Sequence, residues 1–219
     1  MAAATPSKSR LVIAVDGLAA SGKGTVARAL AAHYRLPHLD TGMLYRSVAL
    51  ALFRFGGDPG EEFEVVRAVA AIARITPDDE ELRSETIGSI ASRISAYPAL
   101  RAALVDRQRA FAAQPGGAVL DGRDVGTVIA PDATAKLFVT ASPEIRASRR
   151  LAEILARGVG ADYDHILHDI LARDQRDVSR DTAPLTQAAD AITLDTGELT
   201  AEQAIAEAIR LVEQRRAGG

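Results

Sequence analysis

The 219-residue chain contains no cysteine. Disulfides and zinc held by thiolates are therefore excluded, and a reducing compartment suits it. No apolar run approaches the roughly 18 residues of a membrane-spanning helix. The opening "MAAATPSKSR" lacks the apolar centre of a secretion signal. A cytoplasmic protein with no membrane partner is expected. Excess positive charge is missing as well: 26 basic residues face 29 acidic ones, for a formal net charge of −3. That argues against a nucleic-acid binder working by bulk charge. Lysine is scarce, since Lys8, Lys23 and Lys136 are the only lysines among those basic residues. What remains, 47% hydrophobic and 25% charged, is the composition of one globular domain with a full core. It is compatible with a monomer.

Along the chain, strand and helix signals alternate. "LVIAVD" (11–16) is a short apolar run rich in β-branched residues, as in a strand buried on both faces of a parallel sheet. "TVARALAAHY" repeats apolar residues at helical spacing through Val26, Leu30 and Tyr34, and "LPHLDTG" reads as a second short strand. "MLYRSVALALFRF" is helical, with Leu44, Val48, Leu52 and Phe55 on one stripe and Gly56-Gly57 as its stop. Residues 58–117 read as largely helical: "EEFEVVRAVAAIARI", "EELRSETIGSIASRIS", and "PALRAALVDRQRAF" opened by Pro98. "EEFE" and "PDDEE" are charged helix starts. Further strands are expected at "AVLDG" (118–122), "AKLFVTA" (135–141) and "AITLDT" (191–196), with helices at "YDHILHDILARDQRDVSR" and "TAEQAIAEAIRLVEQ". Ser142-Pro143 caps another helix, and Gly158-Val159-Gly160 is a candidate hinge. The alternation predicts an α/β fold with a doubly wound parallel sheet.

"GLAASGKGT" joins the first strand to the first helix. Gly17, Gly22 and Gly24 let successive backbone N–H groups turn onto phosphate oxygens, with Leu18, Ala19, Ala20 and Ser21 completing the loop. Lys23 would reach the β/γ oxygens, and the Thr25 hydroxyl would lie near Mg²⁺. The strict pattern has Ser or Thr directly after the lysine; here Gly24 intervenes. ATP bound with magnesium is the expected ligand.

A second anion site is legible downstream. "DTGMLYR" sets Thr41 at a strand end and Arg46 in the next helix, and "LDGRDVGT" sets Asp121, Arg123 and Asp124 at the end of another core strand. Arg46 and Arg123 can each fork a pair of phosphate oxygens, and Asp124 can accept from the exocyclic amine of a base. In "ARDQRDVSR", Arg173, Asp177 and Arg180 share one helical stripe. From 137 to 180 every basic side chain is arginine, as in a mobile lid that neutralises phosphates while excluding water. Arg146, Arg157 and Arg176 are expected on a solvated helix face.

"IAVDGLAASGKGT", "LDTGMLYR", "DGRDVGT" and "RDQRDVSRDTAPL" together resemble the successive signatures of bacterial cytidylate kinases, from about residue 10 to 212. The form GKGT is itself similar to the loop of nucleoside monophosphate kinases. The resemblance implies a P-loop NTPase-type sheet with helices on both faces, a helical monophosphate-binding arm and a short arginine-rich lid. It sets the core at about 10–40, 118–157 and 185–215, the arm at 41–117, the lid at 157–184 and a flexible terminus at 1–9. It implies transfer of the γ-phosphoryl group of ATP to CMP or dCMP. Thr41, Arg46, Arg101, Arg123, Asp124, Arg173, Asp177 and Arg180 would face the monophosphate. Asp121 would order water on magnesium, and Arg149 and Arg150, with Lys23 and Arg173, would act on the transferring group. In one respect the chain departs: such kinases usually carry a long insert with a small β-substructure, and Asp58–Tyr97 is too short and too helical for it. Contacts to the sugar, and so CMP against dCMP, stay open.

His165 and His168, three apart on one helix, lack a third ligand nearby, and His33 and His38 read as helix-end and strand-end residues. Two rivals stand beside the kinase reading. One is a P-loop kinase with another acceptor (UMP, AMP or a small metabolite). The other is a nucleotide-dependent switch protein, which would not require a second arginine cluster.

Overall fold

The strand β1 (Leu11–Gly17) is buried along its whole length and paired in parallel on both edges. The computed structural model describes residues 10–76 and 80–218; the expected flexible terminus at 1–9 and residues 77–79 of "PDDEE" lie outside the described residues. Beside β1 run β3 (Gly117–Gly122) and β4 (Ala135–Thr140), with β2 (His38–Asp40) beyond β3 and β5 (Ile192–Asp195) beyond β4. The order β2-β3-β1-β4-β5 is parallel throughout. Because side chains alternate along a strand, one apolar run can feed two cores. Leu11, Ile13 and Val15 pack with α1 (Lys23–Tyr34) and α8 (Ala201–Ala217), while Val12 and Ala14 pack on the opposite layer. That layer holds the end of α5 (Pro98–Ala112) and a single π-helical turn, Val125–Ile129. Burying one such aliphatic side chain contributes about 1.5–3 kcal/mol.

Between β2 and β3 the chain builds a helical arm: α2 (Thr41–Arg54), α3 (Glu62–Ala68), 3₁₀ turns at Val69–Arg74 and Glu80–Arg83, α4 (Glu85–Ile94) and α5. Val48, Leu52, Val65, Ile72, Leu82, Ile87, Leu100 and Leu104 give it a core of its own. No strand occurs in it among the described residues. Two details differ from the sequence expectation. The third arm helix starts at Glu85 because Ser84 Oγ accepts from the Ile87 amide at 3.3 Å, a strong cap that detaches the turn before it. Phe55 lies off the apolar stripe: α2 stops at Arg54, so its ring falls just past the helix and stays 66% exposed.

Two more helices, α6 (Pro143–Ala156) and α7 (Tyr163–Ser179), pack through Ala147, Ile166 and Ile170. Gly158, at φ +75°, lies in their connection. Here the expectation for Arg146 is overturned. It is 1% exposed, forks Asp174 through Nη1 (3.1 Å) and Nη2 (2.6 Å), and donates to the carbonyls of Ala141 and Ala19. Helix α7 covers the face that would otherwise be solvated, and Asp174 supplies the anion that burial of a guanidinium requires. Arg157 and Arg176 are exposed as expected. No helix among the described residues is long and apolar enough to cross a membrane.

Gly117 shows how closely the central strands approach. At φ +103°, a Cβ there would sit 1.9 Å from the Leu11 carbonyl oxygen, so the backbone itself must move. Gly117→Ala is expected to lower unfolding free energy by about 3 kcal/mol or more, read from urea denaturation. A loss below about 1 kcal/mol would show that the strand start can relax.

Candidate active site

The parallel register brings the strand ends to one edge. Asp40 lies level with Asp121, Asp16 with Gly122 and Gly17 with Val139. Open α/β sheets bind ligands at this carboxyl edge. The loop from Gly17 to Gly22 leaves it, with Ala20 at φ +57° and Gly22 at φ +85°. Gly22 caps α1 without a side chain; the Thr25 amide turns back onto the Gly22 carbonyl at 3.0 Å, which leaves the helix start around Lys23 and Gly24 to receive an anion. Within the loop, Ser21 Oγ donates to the Leu18 carbonyl at 3.0 Å, and the Ser21 carbonyl accepts from Thr196 Oγ1 at 2.9 Å. Thr25 is exposed on the first turn and accepts from Arg28 at 3.4 Å.

Next to the loop opens a cavity of about 590 Å³, lined by Ala19, Ala20 and Lys23 from the loop and by Thr41, Tyr45, Arg46, Arg101, Arg123, Asp124, Arg150, Arg173, Asp177 and Arg180. All the expected acceptor-site residues therefore converge on one space. Arg123 Nε donates to Asp177 at 2.8 Å, and Arg101 forms a tight buried pair with Asp124. Arg46 Nη1 donates to the carbonyls of Leu82 (2.6 Å) and Ser84 (3.2 Å). Arg150 bridges Glu85 of α4 and Glu153 at the cavity rim. Arg149, by contrast, is not part of the lining: it donates to the Thr196 hydroxyl at 2.9 Å and carbonyl at 2.5 Å. It is tied to the phosphate loop through Thr196.

The electrostatics are those of a receptacle for anions. Burial and the like charge of Arg123 bring Arg173 down to about 10. Burial, then the neighbouring charge of Arg123, also lowers Lys23. Burial raises Asp177, but Arg123 and Arg173 outweigh it and hold the carboxyl below its ordinary value. Four buried side-chain atoms of the described residues have no hydrogen-bond partner: Tyr45 Oη, Asp121 Oδ2, Arg173 Nε and Arg180 Nη2. Three belong to the cavity lining, and the fourth lies 3.7 Å from Lys23 Nζ. Buried polar atoms ordinarily find partners, so this concentration marks where a polar ligand fits.

Asp121 is the carboxylate best suited to a metal-bound water. Its Oδ1 meets His38 Nε2 at 2.7 Å, while Oδ2 stays unpartnered. A hard cation that keeps most of its waters and rides on phosphates needs only such a contact. Among the described residues no group of three His, Asp or Glu could hold a metal on its own. His165 is exposed and pairs with Asp169 at 3.3 Å.

Sequence reading missed Tyr45 and Asp16. Tyr45 hides in the helical pattern of α2, yet its ring lies under the Arg101 guanidinium (5.7 Å) and burial raises its hydroxyl pKa. Asp16 reads as a strand end, but it accepts from the amides of Val125 (2.8 Å) and Gly126 (2.7 Å), fastening the turn after Asp124 to β1.

A profile of the family described as "Cytidylate kinase" matches residues 13–214. A cytidylate kinase of Xanthobacter autotrophicus is 56% identical over 208 residues, covering 95% of this chain and 100% of that one. One of Rhodopseudomonas palustris is 56% identical over 211 residues, covering 95% and 98%. The crystal structure of an uncharacterized protein from Eubacterium ventriosum shares the fold, with a TM-score of 0.53, 14% identity, and coverage of 93% of this chain and 99% of that one.

The two amides that Asp16 accepts only partly offset its desolvation, and its carboxyl is pushed up from 3.8 to about 6. A carboxyl whose folded pKa exceeds its unfolded one binds its proton more tightly in the native state. Stability from this group therefore falls as pH rises from the unfolded value to the folded one. The unfolding free energy of wild type relative to Asp16→Asn should drop by about 2 kcal/mol between about pH 4 and pH 6.5. Urea titrations across that range measure it. A flat or rising difference would show that the amides fully replace water.

Proposed function

The chain belongs to the cytidylate kinase family, and we propose from that premise that it transfers the γ-phosphoryl group of ATP to CMP or dCMP, giving ADP and CDP or dCDP. The observation that carries this reading is the juxtaposition of two anion sites: the Lys23 loop and the arginine-lined cavity share one opening. A slow hydrolytic switch has no need of the second. In-line transfer calls for positioning and charge neutralisation, and the acceptor phosphate is already an anion, so no strong general base is required.

The roles follow from chemistry. The loop amides from Gly17 to Gly24 and Lys23 hold the triphosphate. Arg46, Arg123 and Arg173 receive the acceptor phosphate. Arg101 holds Asp124 in place, and Asp124, Asp177 and Arg180 read the base. Arg150 and Arg173 stabilise the transferring group, and Arg149 braces the loop through Thr196. Thr41 Oγ1 donates to the Asp121 carbonyl at 2.8 Å, which fixes it at the mouth of the acceptor site. Asp121 and Thr25 are the residues that would face magnesium carried by ATP, whose charge would offset that of the triphosphate. The stretch about 157–184 closes over the nucleotides as a lid, and the arm, about 41–117, carries the acceptor. Both nucleotides are cytoplasmic metabolites, which suits a cytoplasmic enzyme.

ADP release with MgATP is expected to be fastest with CMP or dCMP across a panel that includes UMP, AMP and GMP. Turnover on UMP or AMP about tenfold above CMP would overturn the acceptor assignment. Hydrolysis indifferent to every acceptor would overturn the kinase. Lys23→Ala should lose turnover by at least about a hundredfold with an unchanged melting temperature.

Asp124→Asn keeps the size of the side chain but adds a donor where the cytosine amine needs an acceptor. It should lower kcat/KM for CMP relative to UMP by about 10- to 100-fold. An unchanged CMP-to-UMP ratio would assign base reading elsewhere.

A further inference from the structure

His38 lies on the short edge strand β2, level with Val119, two positions before Asp40 comes level with Asp121. Its side chain reaches along the strands to the Asp121 carboxylate, where Nε2 and Oδ1 stand 2.7 Å apart. We propose that His38 is a positioning residue for phosphoryl transfer: by donating to Oδ1 it keeps Oδ2 of Asp121 turned toward the phosphate loop. The inference rests on the reading of Asp121 as the carboxylate that faces the metal-bearing triphosphate.

Three observations carry it. A carboxylate turns freely about its last torsion, which is broad and two-fold, so its direction is set by what holds it. Of its two oxygens only Oδ1 is held, and the holder is His38. Oδ2 faces Gly24 as well as Lys23: a Cβ built on Gly24 would lie 3.8 Å from it. Finally, Oδ2 stands 3.7 Å from Lys23 Nζ, outside hydrogen-bond range. Lysine and aspartate are neighbours that have not closed on each other. Released from His38, the carboxylate would be free to swing onto the ammonium, and each would quench the other. Lysine would then be less available to the triphosphate and Oδ2 less available to a metal-bound water.

A structural role alone would be to fasten β2 to β3. The backbone already does that, through the parallel ladder and the bond from the Val119 amide to the Pro37 carbonyl at 2.9 Å. The side chain is therefore free to serve Asp121. Burial pushes the Asp121 carboxyl up, but the His38 hydrogen bond and the Lys23 charge prevail and keep it below its ordinary value.

The test uses the full chain with His38→Leu, His38→Gln and Asp121→Asn. Four quantities are read: kcat, KM for CMP, melting temperature, and calorimetric affinity for a non-hydrolysable ATP analogue with magnesium and with EDTA. His38→Leu should lower kcat about tenfold or more while KM for CMP stays within about twofold. It should weaken the analogue more with magnesium than in EDTA, since both the lysine and the water-holding oxygen are lost with magnesium and only the lysine without it. His38→Gln, whose amide can donate to the same oxygen, should recover most of the loss. The proposal is overturned if His38→Leu keeps kcat within about twofold, if glutamine rescues nothing, or if the affinity loss is equal in EDTA. Should Asp121→Asn itself leave kcat and the magnesium effect intact, the reading of Asp121 falls. A crippled Asp121→Asn beside a silent His38→Leu would sink the His38 proposal alone.

Discussion

A guanidinium can be buried only where an anion meets it, and this site collects more of them than its own carboxylates settle. Arg123 has Asp177 and Arg101 has Asp124. The charge of Asp177 also reaches Arg173, but among the described residues the Arg173 Nε atom is buried without a hydrogen bond. The two aspartates thus perform two tasks. Each fixes one guanidinium through a single close contact, which leaves the group's other N–H donors in a set direction. They also leave a surplus of positive potential in the cavity. The fold meets the cost of assembling like charges with hydrophobic cores on every side: one on each face of the sheet, one in the arm and one between α6 and α7.

Much of this was legible in the chain. The apolar run at 11–16, the glycines of the loop and the helical spacing of Arg173 and Asp177 are local patterns, and local geometry decides where they go; Arg180, expected on the same stripe, instead follows the end of α7 in extended backbone. The failures share a cause. Arg146 reads as a solvated arginine because nothing near it in sequence reveals that Asp174, 28 residues on, will cover it. His38 reads as a strand end because its partner is 83 residues away across a register that sequence does not show. Asp16 belongs to the same class, as its amides lie beyond the whole arm. In each case a polar side chain is defined by a partner that only strand register or helix packing supplies.

The phosphate loop gains meaning in the same way. Gly24 separates Lys23 from Thr25, and the space beside it is where the free oxygen of Asp121 points. A carboxylate oxygen from a neighbouring strand thus lies beside the position that carries a hydroxyl in the strict pattern. Arg149 and Arg146 brace the other side, through Thr196 and through the Ala19 carbonyl. The loop is therefore held from several elements at once.

Helix α5 has one end in each of two cores. Leu100 and Leu104 belong to the arm, while Ala112 belongs to the layer beneath the sheet. Arg109, near the lower end, donates to the Val128 carbonyl of the π-helical turn at 3.1 Å. The helix is thus a lever with its fulcrum between the arm and the sheet. Any displacement of the arm against the sheet would load this one helix, and with it the turn that follows Asp124.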